Sequence, residues 1–211
     1  SALMTFIWSL PESHYEGLEK IQVGRFHESP RGQATNKEII LNVNDIESQE
    51  EFIAVFIHEL GHIVDLSIVS DSEIHPSPFQ RISWKTKRLR RSDAQAADFV
   101  SGYAMSNAWE DFAESYAMYV IKAKTFDHWR RSNLVLNQKY NFLKQKVFEQ
   151  QDFLNADISP IIEGDDRNWD VTLYAFDLDQ LLVILNRRKK ERETASRTRN
   201  KTVARYQKDQ A

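Results

Sequence analysis

Residues 48–66 read Ser-Gln-Glu-Glu-Phe-Ile-Ala-Val-Phe-Ile-His-Glu-Leu-Gly-His-Ile-Val-Asp-Leu. Phe52, Val55, Phe56, Ile63 and Leu66 recur at steps of three and four, the spacing of a buried helical face. Ser48 followed by Glu51 is a capping-box signature ahead of that apolar run, so a helix is predicted over about 49–68. Inside it lies His58-Glu59-Leu60-Gly61-His62, or H-E-x-x-H. Four residues apart on a helix, the two histidines sit one above the other on the same face. Imidazoles so placed can bind one metal ion, and zinc takes His nitrogen readily. Glu59 points at the adjacent edge, where it can act as general base towards a water at the metal. Gly61 costs the helix about 1 kcal/mol relative to alanine, which implies close packing of another backbone there. The plainer alternative is a helix with two ordinary histidines, one of them satisfied in the core.

A two-histidine site needs a third protein ligand. The H-E-x-x-H-x-x-G-x-x-H arrangement fails, because its last two required places hold Asp65 and Ile68. A distant glutamate is the other option, and Trp109-Glu110-Asp111-Phe112-Ala113-Glu114-Ser115-Tyr116 is its best source. Glu110 and Glu114 share a helix face at i, i+4, with Phe112, Tyr116 and Val120 on the buried side. Two plainer roles compete. Glu110 stands three residues after Asn107, as a capping-box glutamate would, and Glu114 fits a solvated surface charge. Asp65, one turn beyond His62, could orient a ligand or simply carry charge near the helix end.

A strand, the HELGH helix ending in Asp65, and then Tyr103-x-x-x-Asn107-x-x-Glu110-x-Phe112-Ala113-Glu114 together resemble the catalytic domain of the anthrax lethal factor and pro-pro endopeptidase group of zinc metalloproteases. The resemblance runs from about Ile21 to about Phe148, through the Tyr140-Asn141-Phe142-Leu143 stretch. It implies an α+β zincin-like fold, with a small mixed sheet over the active-site helix and a mainly helical C-terminal half. It also implies one Zn2+ ion held by His58, His62 and Glu110, with Glu59 as base and Tyr103 as the residue steadying the oxyanion. A bacterial toxin-like metalloprotease is thereby expected, without a toxin's delivery domains. The resemblance further suggests a secreted mature form. A cytoplasmic location stays open, since no signal peptide is visible.

The remaining sequence bounds this reading. With 211 residues and 41% apolar residues the chain can bury a sizeable core. The absence of cysteine excludes disulfides and thiolate metal sites. No apolar run approaches the roughly 20 residues of a membrane span. The net charge of -3 divides unevenly, with residues 187–211 at +7 and the rest at -10. That basic tail holds a single aromatic, Tyr206, so nucleic-acid binding is not favoured. The division expected is a catalytic domain over 1–155 and a C-terminal extension over 156–211, whose Leu178, Leu181, Leu182 and Leu185 predict a helix over about 177–193.

Between these landmarks, residues 1–17 read as a short apolar segment before a turn, and Ile21 with Val23 as a strand. Residues 29–36 read as a loop, and Glu38–Val43 as a second strand whose edge could receive an extended peptide. Residues 70–92 read as a long irregular loop carrying the basic cluster Lys85 to Arg91. A short helix is predicted within 94–103, and longer ones over about 108–123 and 139–151. His14, His27, His75 and His128 have no partner at ligand spacing and read as structural or surface residues. Two functions remain: a zinc-dependent endopeptidase acting, as a monomer, on a narrow set of peptide or protein substrates, or a regulatory or binding protein built on the same fold.

Overall fold

The computed structural model describes residues 2–35, 37–69, 74–164, 167–191 and 194. A short helix α1 (Ala2–Ile7) leads into a mixed three-stranded sheet of β1 (Lys20–Gly24), β2 (Gly32–Ala34) and β3 (Glu38–Asn42). The spatial order is β1-β3-β2, with β1 parallel and β2 antiparallel to β3. Ile39 and Leu41 alternate on β3 and both are fully buried, so one face of the sheet covers the core. The residues read as a loop therefore contain a strand, and Glu38–Asn42 is the central strand, not the edge. β2 takes the edge position. Its three residues are too few, and too poor in β-branched side chains, to declare themselves by alternation.

Helix α2 (Gln49–Val64) runs beneath the sheet and continues as a wider π turn over Asp65–Val69. Its residues 53–61 are all buried, because the sheet covers one side and helix α3 (Ala108–Ile121) the other. The run Gln49–Val69 is long and apolar enough to cross a membrane, contrary to the expectation from the sequence, yet most of it is buried within the protein. Ser48 Oγ accepts from Glu51 N at 3.0 Å, as a cap should. The reciprocal half of the box is altered. Glu51 accepts from Glu47 N at 2.9 Å with one oxygen, while Arg31 engages the other at 2.5 Å. At Gly61 an added Cβ would lie 3.0 Å from Ala113 Cα, so α2 and α3 touch backbone to backbone.

After α3 the chain breaks at Lys122, close to the predicted helix end at about 123, and restarts as α4 (Ala123–Trp129), a helix the sequence did not predict. Helix α5 (Leu134–Phe142), capped by Asn133, starts earlier than predicted and ends in a π turn at Val147. The predicted helix within 94–103 resolves into two single 3₁₀ turns, Ala96–Asp98 and Tyr103–Met105. The stretch 74–92 is packed, not loose: Phe79, Gln80 and Trp84 are buried, and Trp84 bridges to Arg90. Residues 178–191 are helical as predicted, and Leu178, Leu181 and Leu185 join the same core as α2 and α3. Most of the basic tail lies outside the described residues.

Candidate metal centre

His58 and His62 project from α2 with ring centroids 4.9 Å apart, edge to face. Across the helix contact, Asn107 Oδ1 caps α3 by accepting from Trp109 N and Glu110 N, each at 3.0 Å. Glu110 does not fold back to complete a capping box. Its Oε2 stands 3.2 Å from His58 Nε2 and 3.3 Å from His62 Nε2. That oxygen is buried and accepts no hydrogen bond. A tetrahedral centre with metal–ligand bonds of about 2.0–2.1 Å separates its ligand atoms by about 3.3 Å. The donor set is therefore the right size for zinc, and the unsatisfied oxygen is what a cation would complete. The imidazoles hold the Glu110 carboxyl well below the usual carboxylate range, overcoming the opposing effect of burial.

His58 is fixed from behind. Its Nδ1 donates to Glu114 Oε1 at 2.8 Å, the arrangement that would leave Nε2 as the metal-binding nitrogen once its proton is displaced. Burial disfavours the charged His58 ring, but Glu110 and Glu114 outweigh it and raise its pKa. Glu114 is fully buried, so the surface-charge reading of this residue is wrong. Its other oxygen accepts from Ser101 Oγ at 2.5 Å and from Val171 N at 2.9 Å. Both carboxylate oxygens thus have donors, three in all, and these bonds hold the helix at that depth. Asp65 is also buried, but it takes Gln80 Nε2 at 2.6 Å and does not orient a histidine through a hydrogen bond.

Glu59 lies beside the pair, almost wholly buried beneath β2. A Cβ at Gly32 would come within 2.4 Å of Glu59 Oε1, so any larger residue there would displace the Glu59 carboxylate. Burial raises the Glu59 pKa, the two histidines temper the rise, and Glu110 and Asp170 add to it. Tyr103 stacks on His58 at 6.0 Å between centroids. Burial, then the nearby Glu110 carboxylate, push its hydroxyl pKa up, so it remains a donor.

These groups line a cleft of about 490 Å³. Its far wall is a segment that the sequence reading did not single out, Trp169 to Thr172. Trp169 O accepts from Tyr103 N at 2.6 Å, and Asp170 meets Arg31 at 2.5 Å. Arg31 also donates to Thr172 Oγ1 at 3.0 Å, so one guanidinium ties the start of β2 to α2 and to this strap. Nothing local in residues 167–174 signals the role, since each contact is made far along the chain.

A family model described as "Putative zinc-binding metallo-peptidase" (Peptidase_Mx1) matches residues 27–203. No curated protein and no solved structure matches the chain. The match covers α2, α3 and the strap together, and the chain belongs to this family of zinc-binding metallopeptidases.

Proposed function

We propose that this member of the zinc-binding metallopeptidase family is an endopeptidase with a zincin-like active site, related in plan to the lethal factor and pro-pro endopeptidase group. The observation that supports the reading best is the convergence of His58 Nε2, His62 Nε2 and Glu110 Oε2, within 4.8 Å of one another, beside a buried glutamate in an open cleft. When bound there, zinc supplies Lewis acidity, bringing the pKa of water to about 7 and polarising the scissile carbonyl.

The protein's own groups do the rest. His58 and His62 offer nitrogen lone pairs, and Glu114 keeps His58 in the required tautomer. Glu59, made more basic by burial, takes the proton of the attacking water and returns it to the leaving amine. The Tyr103 hydroxyl donates a hydrogen bond to the oxyanion of the tetrahedral intermediate. The free edge of β2 offers backbone groups to an extended peptide, which would lie across Glu59. In this reading the catalytic unit extends beyond residue 155, because Trp169 to Thr172 form one wall of the cleft.

The test is metal analysis of the purified protein together with a peptide-library digest, repeated on Glu59→Gln. One equivalent of zinc is expected in both proteins, and cleavage is expected in the wild type only. Loss of a positioned base typically costs about 10²–10⁴ in rate. Near-wild-type cleavage by Glu59→Gln would rule the mechanism out.

A further inference from the structure

The basic cluster found in the sequence is not a solvated run. Five Lys and Arg and no acidic residue fall between Lys85 and Arg91, in a body that is otherwise acidic. The chain there closes on itself. Trp84 and Arg90 form an antiparallel bridge, Leu89 O accepts from Lys85 N at 2.8 Å, and Thr86 Oγ1 accepts from Leu89 N at 3.0 Å. Trp84 anchors the base of this hairpin in the core through its bond to Asp111 Oδ2 at 2.9 Å. Lys85, Arg88 and Arg90 are left exposed around Leu89, itself 55% exposed. Among the described residues no carboxylate pairs with any of the three.

The hairpin also abuts the cleft. Lys87 O accepts from Ala108 N at 3.0 Å, capping the helix that carries Glu110. The Lys87 ammonium lies 5.3 Å over the ring of Trp109, a cleft-lining residue. Lys85, Arg88 and Arg90 belong to the same short hairpin as Lys87, so they are carried on an element that touches Trp109.

We propose that this hairpin is an exosite for an acidic segment of the protein substrate, lying outside the residues that surround the scissile bond. Its closed backbone carries three exposed cations and one apolar side chain on one short turn. That suits a peptide with several carboxylates and an apolar residue between them. Nucleic acid is less well matched, because Trp84 is buried and the exposed tip carries no ring for a base to stack on. The proposal takes from the peptidase reading only that a polypeptide occupies the cleft.

The experiment compares the full-length protein with the triple variant Lys85→Ala/Arg88→Ala/Arg90→Ala, leaving Lys87 in place. Fluorescence anisotropy reads the binding of a labelled oligoglutamate peptide that contains one leucine, with oligolysine and uncharged peptides as controls. The acidic peptide alone should bind, more weakly as salt rises, and its Kd should increase about tenfold in the triple variant. Arg88→Lys/Arg90→Lys should retain binding. For a cleavable peptide with and without an acidic extension, the triple variant should raise KM for the extended form only, with kcat unchanged. Binding is measured without cleavage, so a protein that cuts nothing still tests the exosite. Equal affinity in wild type and variant overturns it. So does a variant that binds the peptide normally but no longer sediments with phosphatidylserine vesicles, which would make the hairpin a lipid contact.

Discussion

Adjacent residues on α3, Glu110 and Asp111, face opposite ways and meet opposite conditions. Asp111 is fully buried and completely matched, with Lys139 Nζ at 2.7 Å on one oxygen and Trp84 Nε1 at 2.9 Å on the other. Lys139 is equally buried and also bonds Asp98 O at 2.8 Å. Glu110 Oε2 is buried too, with two imidazole nitrogens near it and no hydrogen bond accepted. Burying a charge is costly, and proteins rarely leave one incomplete. The Asp111 network is finished by the chain itself. The Glu110 oxygen, with His58 and His62, forms a donor set that a cation could complete. One face of the helix fixes its position so that the other can hold a ligand site at a set depth.

The contrast is open to attack, most strongly from the matched side. Lys139→Met strands a buried carboxylate, which should cost about 3–5 kcal/mol. At about 2–4 °C per kcal/mol for a chain of this size, the melting temperature should fall by roughly 10 °C. Glu110→Gln should lose zinc, while its melting temperature stays close to that of the wild type stripped of metal. Similar falls in both would mean that the two acids serve the same structural purpose.

Within the unmatched site, Tyr103→Phe removes a hydroxyl and keeps the ring stacked on His58. Steady-state kinetics should show kcat lower by about 10²–10³, with KM and the melting curve little changed. Unchanged turnover would make Tyr103 a packing residue.

Glu114→Gln sharpens the boundary between the two regions, since Glu114 is matched like Asp111 but touches a proposed ligand. Zinc titration should show affinity weaker by about 10–100-fold, short of the loss in Glu110→Gln. Wild-type affinity would place Glu114 with the structural acids.

What could be read from the sequence follows the reach of each interaction. Helix α2 was legible because its signals are local: Ser48 caps it, apolar residues repeat, and His58 and His62 share a face through helical spacing alone. Gly61 showed its purpose for the same reason, as a costly residue with a close neighbour to explain it. β2 was not legible, because Gly32-Gln33-Ala34 becomes a strand only by pairing with β3. Glu114 resembled a surface charge because its partner His58 lies 56 residues away. Helix α4 also escaped notice, since its seven residues are too few to show a helical period. The strap was least visible, as Asp170 and Val171 acquire meaning only from Arg31 and Glu114.

That strap has a consequence for the order in which the protein is made. Val171 and its partner Glu114 are separated by 57 residues. A ribosome adding about 5–20 residues per second needs about 3–11 s to cover that distance. Through that interval His58, Glu59, His62 and Glu110 already exist, but one wall of the cleft does not, and Glu114 lacks one of its donors. In a nascent chain the candidate site thus exists in parts, and it is completed only after the segment that closes the cleft has left the translation machinery.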